Sequence, residues 1–141
     1  MKRILLFFCL FLLFGCQSNE KHMTLLDDVS SISISKSAGY GGLNEQYVIT
    51  TDNKAFISVF EDVLTHAKGK KQKVNIKEEK PDYDLRIRYE NGETHGLHLV
   101  LGNKGERSRI MYIGHENNSF ELLAEDTAIL RDLLEDEKVI Q

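Results

Sequence analysis

The chain has 141 residues and a formal net charge of −4. Its first sixteen residues hold both cysteines, four of the seven phenylalanines and, as their only charges, Lys2 and Arg3; the other 125 carry −6, with no cysteine, no tryptophan and one proline. That balance excludes disulfides, thiolate zinc sites and cysteine catalysis beyond the leading segment, disfavours a nucleic-acid binder, and leaves room for one domain able to fold without metal.

Residues 1–16 read MKRILLFFCLFLLFGC, a positive start followed by an unbroken apolar run from Ile4 to Phe14. Such a run spans about 16 Å as a helix, against a bilayer core of about 30 Å, so it reads as an export signal and not a membrane span. Leu13-Phe14-Gly15-Cys16 resembles the lipobox of bacterial lipoproteins, with Phe14 departing from the usual small residue. The resemblance implies a signal peptide over residues 1–15, cleavage before Cys16, and a diacylglycerol, often joined by an amide-linked acyl chain, on Cys16. Gln17 is not the aspartate that retains lipoproteins at an inner membrane. No cofactor is expected beyond that covalent lipid.

Residues 16–27 then form a lipidated cysteine and a short polar tether, and residues 28–141 a single domain. From Val29, Ile32 and Ile34 alternate with Ser31, Ser33 and Ser35, the period of a strand. Ser37–Gln46, with Gly39, Gly41 and Gly42, reads as a loop, and Tyr47–Thr51 as a second strand. Asp52 or Thr51 caps a helix over roughly 53–68, with Phe56, Phe60, Val63, Leu64 and Ala67 at helical spacing and Gly69 as its stop. Residues 68–80 are a lysine-rich connection, in which Val74 and Ile76 form a brief edge strand.

Residues 81–123 read as an antiparallel meander. Tyr83, Leu85, Ile87 and Tyr89 alternate with Asp84, Arg86 and Arg88, and Asn91-Gly92 signals a type I′ hairpin turn. Strands follow over Thr94–Leu101, Ser108–Ile113 and Ser119–Leu123. A last helix covers roughly 125–136, with Glu125 and Asp126 at its positive end and Ile129, Leu130, Leu133 and Leu134 as its apolar stripe. The expected fold is α+β: a mainly antiparallel sheet of five to six strands, two amphipathic helices on one face, and the other face open.

The segments PDYDLRIRYENG, HLVLGNKG, IMYI and FELLAEDTAILRDLL resemble those of the YhfM-like family of small Gram-positive lipoproteins. The motifs are structural, and the resemblance implies no activity.

Chemistry-bearing residues are sparse. His95 and His98 point to opposite faces of one strand and cannot share a metal, and no HExxH or thiolate set accompanies His22, His66 or His115. The carboxylate pairs Asp27-Asp28 and Asp82/Asp84 lack calcium-loop spacing. Gly39–Gly42 lacks the lysine and hydroxyl residue of a phosphate loop, which leaves Tyr40 as a contact residue on a mobile loop. The serines near residue 33 belong to no GxSxG or SxxK motif. Lys68, Lys70, Lys71, Lys73, Lys77 and Lys80 are a solvated run that, beside a membrane, would attract anionic headgroups. Arg86, Arg88, His98 and Arg109 are the candidate interaction surface, on the open sheet face and partly neutralised by Asp84 and Glu121.

The expectation is a lipid-anchored protein on the extracytoplasmic side of the cell membrane. It binds another envelope protein or a wall polymer and does no catalysis; the alternative is a small envelope hydrolase using assembled carboxylates.

Overall fold

The computed structural model describes residues 21–25, 28–75 and 77–141; Cys16 and Ile76 lie outside them. In chain order the elements are β1 (Val29–Lys36), β2 (Tyr47–Thr51), α1 (Lys54–Thr65), β3 (Lys68–Lys71), β4 (Tyr83–Tyr89), β5 (Thr94–Val100), β6 (Ser108–Tyr112), β7 (Asn118–Leu122) and α2 (Ala124–Asp136). The strands form one antiparallel sheet in the order β2-β1-β4-β5-β6-β7-β3. The class is α+β as expected, with seven strands among the described residues where five to six were anticipated.

The extra strand comes from the lysine-rich connection. Val74 is not in a strand; Lys68–Lys71 pairs with β7 instead, with Lys68 opposite Glu121 and Lys71 opposite Asn118. Four exposed residues of sequence KGKK have no apolar alternation to announce a strand, and the backbone of β7 recruits them. The same pairing shortens α1, which ends at Thr65, so Gly69 sits in β3 and does not stop a helix. Asn53, and neither Asp52 nor Thr51, caps α1: its side chain accepts from the N–H groups of Ala55 and Phe56 at 2.9 and 3.4 Å.

The Asn91-Gly92 hairpin is also different in kind. Gly92 has φ of 86° while Asn91 does not take a positive φ, and the Gly92 N–H donates to the Tyr89 carbonyl at 2.9 Å. This is a three-residue loop, a type I turn ending in a left-handed glycine, and not the two-residue type I′ turn. The loop length places Asp84 opposite His98; a two-residue turn would have placed it opposite Leu99.

The inner face of the sheet carries Ile32, Ile34, Leu85, Ile87, Leu97, Leu99, Ile110 and Leu122, all fully buried. Phe56, Phe60, Val63 and Leu64 of α1 and Leu130 and Leu134 of α2 close over them. In α2 the buried face runs through Asp126, Thr127, Leu130 and Leu134, so Ile129, expected in the stripe, is 45% exposed. His95 lies on the inner side and bonds the Tyr89 hydroxyl through Nδ1 at 2.8 Å.

The helices are joined by His66 Nδ1, which donates to buried Asp126 Oδ1 at 2.9 Å. That hydrogen bond, with the negative charges of Asp126, Asp62 and Glu125, raises the pKa of His66 above its ordinary 6.5 against a smaller opposing effect of burial. The folded state therefore holds this proton more tightly than the unfolded chain. The link stabilises fully below pH 6.5 and is lost as the pH rises through the raised value. Replacing His66→Gln should flatten the fall in melting temperature as the pH rises above 6.5; parallel profiles for the two proteins would show that the link contributes nothing.

Candidate functional site on the covered face of the sheet

Strand alternation sends Ser31, Ser33 and Ser35 of β1, Asp84, Arg86 and Arg88 of β4, His98 of β5, and Arg109 and Met111 of β6 to the face away from the helices. The four residues of the candidate surface do share one face. That face is not open at its centre, however: Ser35, Asp84, His98 and Met111 are all 0% exposed.

Two connections cover it. The loop of residues 37–46 folds back from the β1–β2 hairpin and is fastened at Asn44. Its N–H donates to Asp84 Oδ2 at 2.8 Å, and its carbonyl accepts from Ser35 Oγ at 2.5 Å. Gly39 and Gly41, at φ of 124° and 104°, let the chain reverse on either side of Tyr40. The Tyr40 ring then stands edge-on to the His98 ring, 5.3 Å between centroids at 86°. The connection from β3 to β4 brings Glu79, whose Oε2 accepts from Arg109 Nη2 at 2.8 Å. Asp82 bonds both neighbours, its carbonyl accepting from Ser37 N–H and its carboxylate from Leu101 N–H.

Beneath this cover lies a buried histidine–carboxylate pair. His98 Nδ1 donates to Asp84 Oδ1 at 2.7 Å, both side chains fully enclosed. With its second oxygen Asp84 holds the loop, so one carboxylate orients the imidazole and secures the cover. The far ring nitrogen, Nε2, is 3.7 Å from Glu116 Oε1, beyond hydrogen-bonding distance.

The other candidate residues are placed differently. The Arg86 guanidinium lies 4.7 Å above the Tyr47 ring, with Glu45 4.0 Å away. Arg88 is exposed at the end of β4. Glu121, expected to neutralise this set, is taken by Lys70 and Arg107. Burial alone would raise its pKa, but those two hydrogen bonds prevail and hold it low.

Five buried side-chain atoms among the described residues have no hydrogen-bond partner: Tyr40 Oη, Tyr47 Oη, Arg86 Nε, His98 Nε2 and Arg109 Nη1. All five belong to this face or its covering loop. Burial is the largest influence on both tyrosines and raises their pKa values above 10.0, outweighing the lowering effects of Arg109 on Tyr40 and of Arg86 on Tyr47. Both remain phenols at neutral pH. The set is chiefly one of donors, suited to ligand oxygens in a water-poor setting. No group of three or more His, Cys, Asp and Glu suited to a metal occurs among the described residues.

Sequence reasoning placed the four basic residues on one face and marked Tyr40 as a contact residue, but missed the cover. The Asp84–His98 pair was accessible from hairpin parity. Asn44 and Glu79 gave no local signal, because the loops that carry them are placed by contacts 40 and 30 residues away.

The model of a family described as YhfM protein matches residues 27–139. No curated protein matches the chain. A crystal structure of a thioesterase-like protein from Clostridium sporogenes ATCC 15579 is similar in fold, with a TM-score of 0.60 and 19% sequence identity, covering 77% of this chain and 95% of that one. At that identity the likeness concerns the fold alone.

Proposed function

The chain belongs to the YhfM protein family over residues 27–139, and we propose that it is a lipoprotein of the cell envelope, anchored through Cys16 outside the cytoplasmic membrane, whose domain binds a partner at the covered face of the sheet. The lipobox-like sequence supports the anchor. One observation carries the binding reading: the five unpartnered buried atoms all lie on or over one face. Each such atom costs about 1–3 kcal/mol, so keeping five together is a standing cost that a partner's oxygens would relieve, accepting from the tyrosine and arginine donors and, as a hydroxyl, donating to His98 Nε2. The loop of residues 37–46, which also borders a depression of about 560 Å³, is the element that would move to admit them.

The test is crosslinking in cells from a photoreactive residue at Gly42, where a side chain meets open space. A control places it at Glu135, exposed on α2. A discrete product is expected from position 42, absent from position 135 and lost in the Arg86→Glu, Arg88→Glu variant. Equal capture from both positions, or none from either, sinks this reading.

A small envelope hydrolase is the second reading. The observation favouring it is the His98 ring held between the carboxylates of Asp84 and Glu116, at 2.7 and 3.7 Å. There His98 would serve as a base oriented by Asp84. Hydrolysis of envelope esters or glycans that disappears in Glu116→Gln, with the melting temperature unchanged, would favour it over binding.

A further inference from the structure

The chain enters the domain at a defined and basic place. The Gly69 N–H of β3 donates to the Lys21 carbonyl at 2.6 Å, the Met23 N–H to the Ala67 carbonyl at 3.4 Å, and His22 bridges Lys68 in antiparallel sense. Met23 is buried in the core, and the Thr24 carbonyl accepts from the Tyr112 hydroxyl at 2.7 Å. A Cβ on Gly69 would come within 2.9 Å of the Lys21 oxygen, so the fit requires glycine. Residues 21–25, expected in the tether, are therefore stitched to the outer edge of β3.

Two consequences follow from covalent geometry and charge. Only four residues lie between Cys16 and Lys21, making five Cα–Cα steps, so the two Cα atoms lie within about 18 Å whatever the path between them. The edge so tethered carries Lys21, Lys68, Lys70, Lys71 and Lys73, all exposed. Glu121 is shared between Lys70 and Arg107, so at this place one carboxylate answers two cations. The mature chain as a whole is acidic, which sets this edge apart. Exposed charges act over about 8–10 Å in physiological salt, a distance that the short leash brings within reach of lipid headgroups.

We infer that this Lys21–β3 edge is a membrane-facing surface, whose lysines rest on anionic phospholipid headgroups and stand the sheet on its edge. The inference rests on the anchoring of Cys16 proposed above. It orients the domain so that β2, at the other end of seven strands, lies up to about 29 Å farther from the bilayer. Standing on edge, the sheet turns its covered face sideways, neither pressed onto the lipid nor hidden by it.

The full-length lipidated protein, reconstituted into vesicles, tests this. Fluorophores are attached through Asn118→Cys, opposite Lys71, or Val48→Cys, 57% exposed on β2, and quenched by a headgroup-linked quencher. In vesicles of mixed phosphatidylglycerol and phosphatidylcholine, quenching at position 118 should exceed that at 48 several-fold. The difference should collapse in pure phosphatidylcholine, in high salt, and in the Lys70→Glu, Lys71→Glu, Lys73→Glu variant. Anchored protein quenched alike at both positions, or with a preference indifferent to lipid charge, overturns the orientation and leaves the anchor standing. Protein that does not partition into the vesicles at all overturns both.

Discussion

Cys16→Ser is expected to abolish incorporation of a labelled fatty acid and to remove the protein from its stable place in the membrane, leaving an uncleaved precursor or released chain. The argument is one of lengths and methylenes. The apolar run from Ile4 to Phe14 is too short to cross a bilayer core of about 30 Å, so on the proposed reading retention depends on acyl chains. Each buried methylene contributes roughly 0.8 kcal/mol, and a single chain binds only marginally, whereas two or three hold stably. Replacing the sulfur by a hydroxyl removes the attachment point for the thioether. Metabolic labelling and membrane fractionation measure the outcome directly; retention and labelling unchanged in the variant would refute the anchor.

The second large effect is expected inside the domain. Asp84→Ala leaves the fully buried His98 without its partner and removes the acceptor of the Asn44 N–H. Breaking one side of a buried pair costs about 3–5 kcal/mol. A domain of this size is stable by roughly 5–15 kcal/mol, so the melting temperature should fall by about 10–20 °C. The amides of residues 37–46 should exchange faster by the same cause. Replacing both partners by apolar residues of similar shape, Asp84→Leu with His98→Phe, should cost less, because the imidazole is then no longer stranded and only the Asn44 N–H is left without its acceptor. A melting temperature within a few degrees of wild type for Asp84→Ala would show that the loop and the pair are not coupled as the geometry indicates.

These two predictions come from different depths of information. The proposed anchor is read from sixteen contiguous residues, since an export signal is recognised along the chain. The Asp84–His98 pair needs two strands in register. Leu85, Ile87, Leu97 and Leu99 must share the inner face, and opposite residues of an antiparallel pair point the same way, so the hairpin loop must contain an odd number of residues. The Asn-Gly preference alone suggested two. Hydrophobic parity outweighs turn propensity here, because a one-residue slip would turn every side chain of a strand to the wrong face.

The stretches of regular alternation and the α1 stripe were legible for the same reason: period two and period 3.6 are properties of neighbouring residues, and burial rewards them directly. Strand β3 was not, because KGKK has no apolar pattern and pairs only where β7 offers an unsatisfied edge. The stop of α1 followed from that pairing and not from a local signal. Ile129 was misassigned because it lies about 100° around α2 from Leu130, and only the packing against α1 selects which side is buried.

The proposed leader rests on the amino-acid order alone; what that order settles unaided is the α+β class, the two helices and most of the residues that share each strand face. All of these depend on composition or on spacings of a few residues. The seventh strand, the docking of residues 21–25 and the cover over His98 depend on backbone groups and side chains far apart in the chain. Asn44 finds Asp84, Glu79 finds Arg109 and Lys21 finds Gly69 only after the sheet exists to hold them. Hydrogen bonds are short-ranged and directional, so a partner 30 to 50 residues away leaves no periodic trace, and only the tertiary structure can bring it into place.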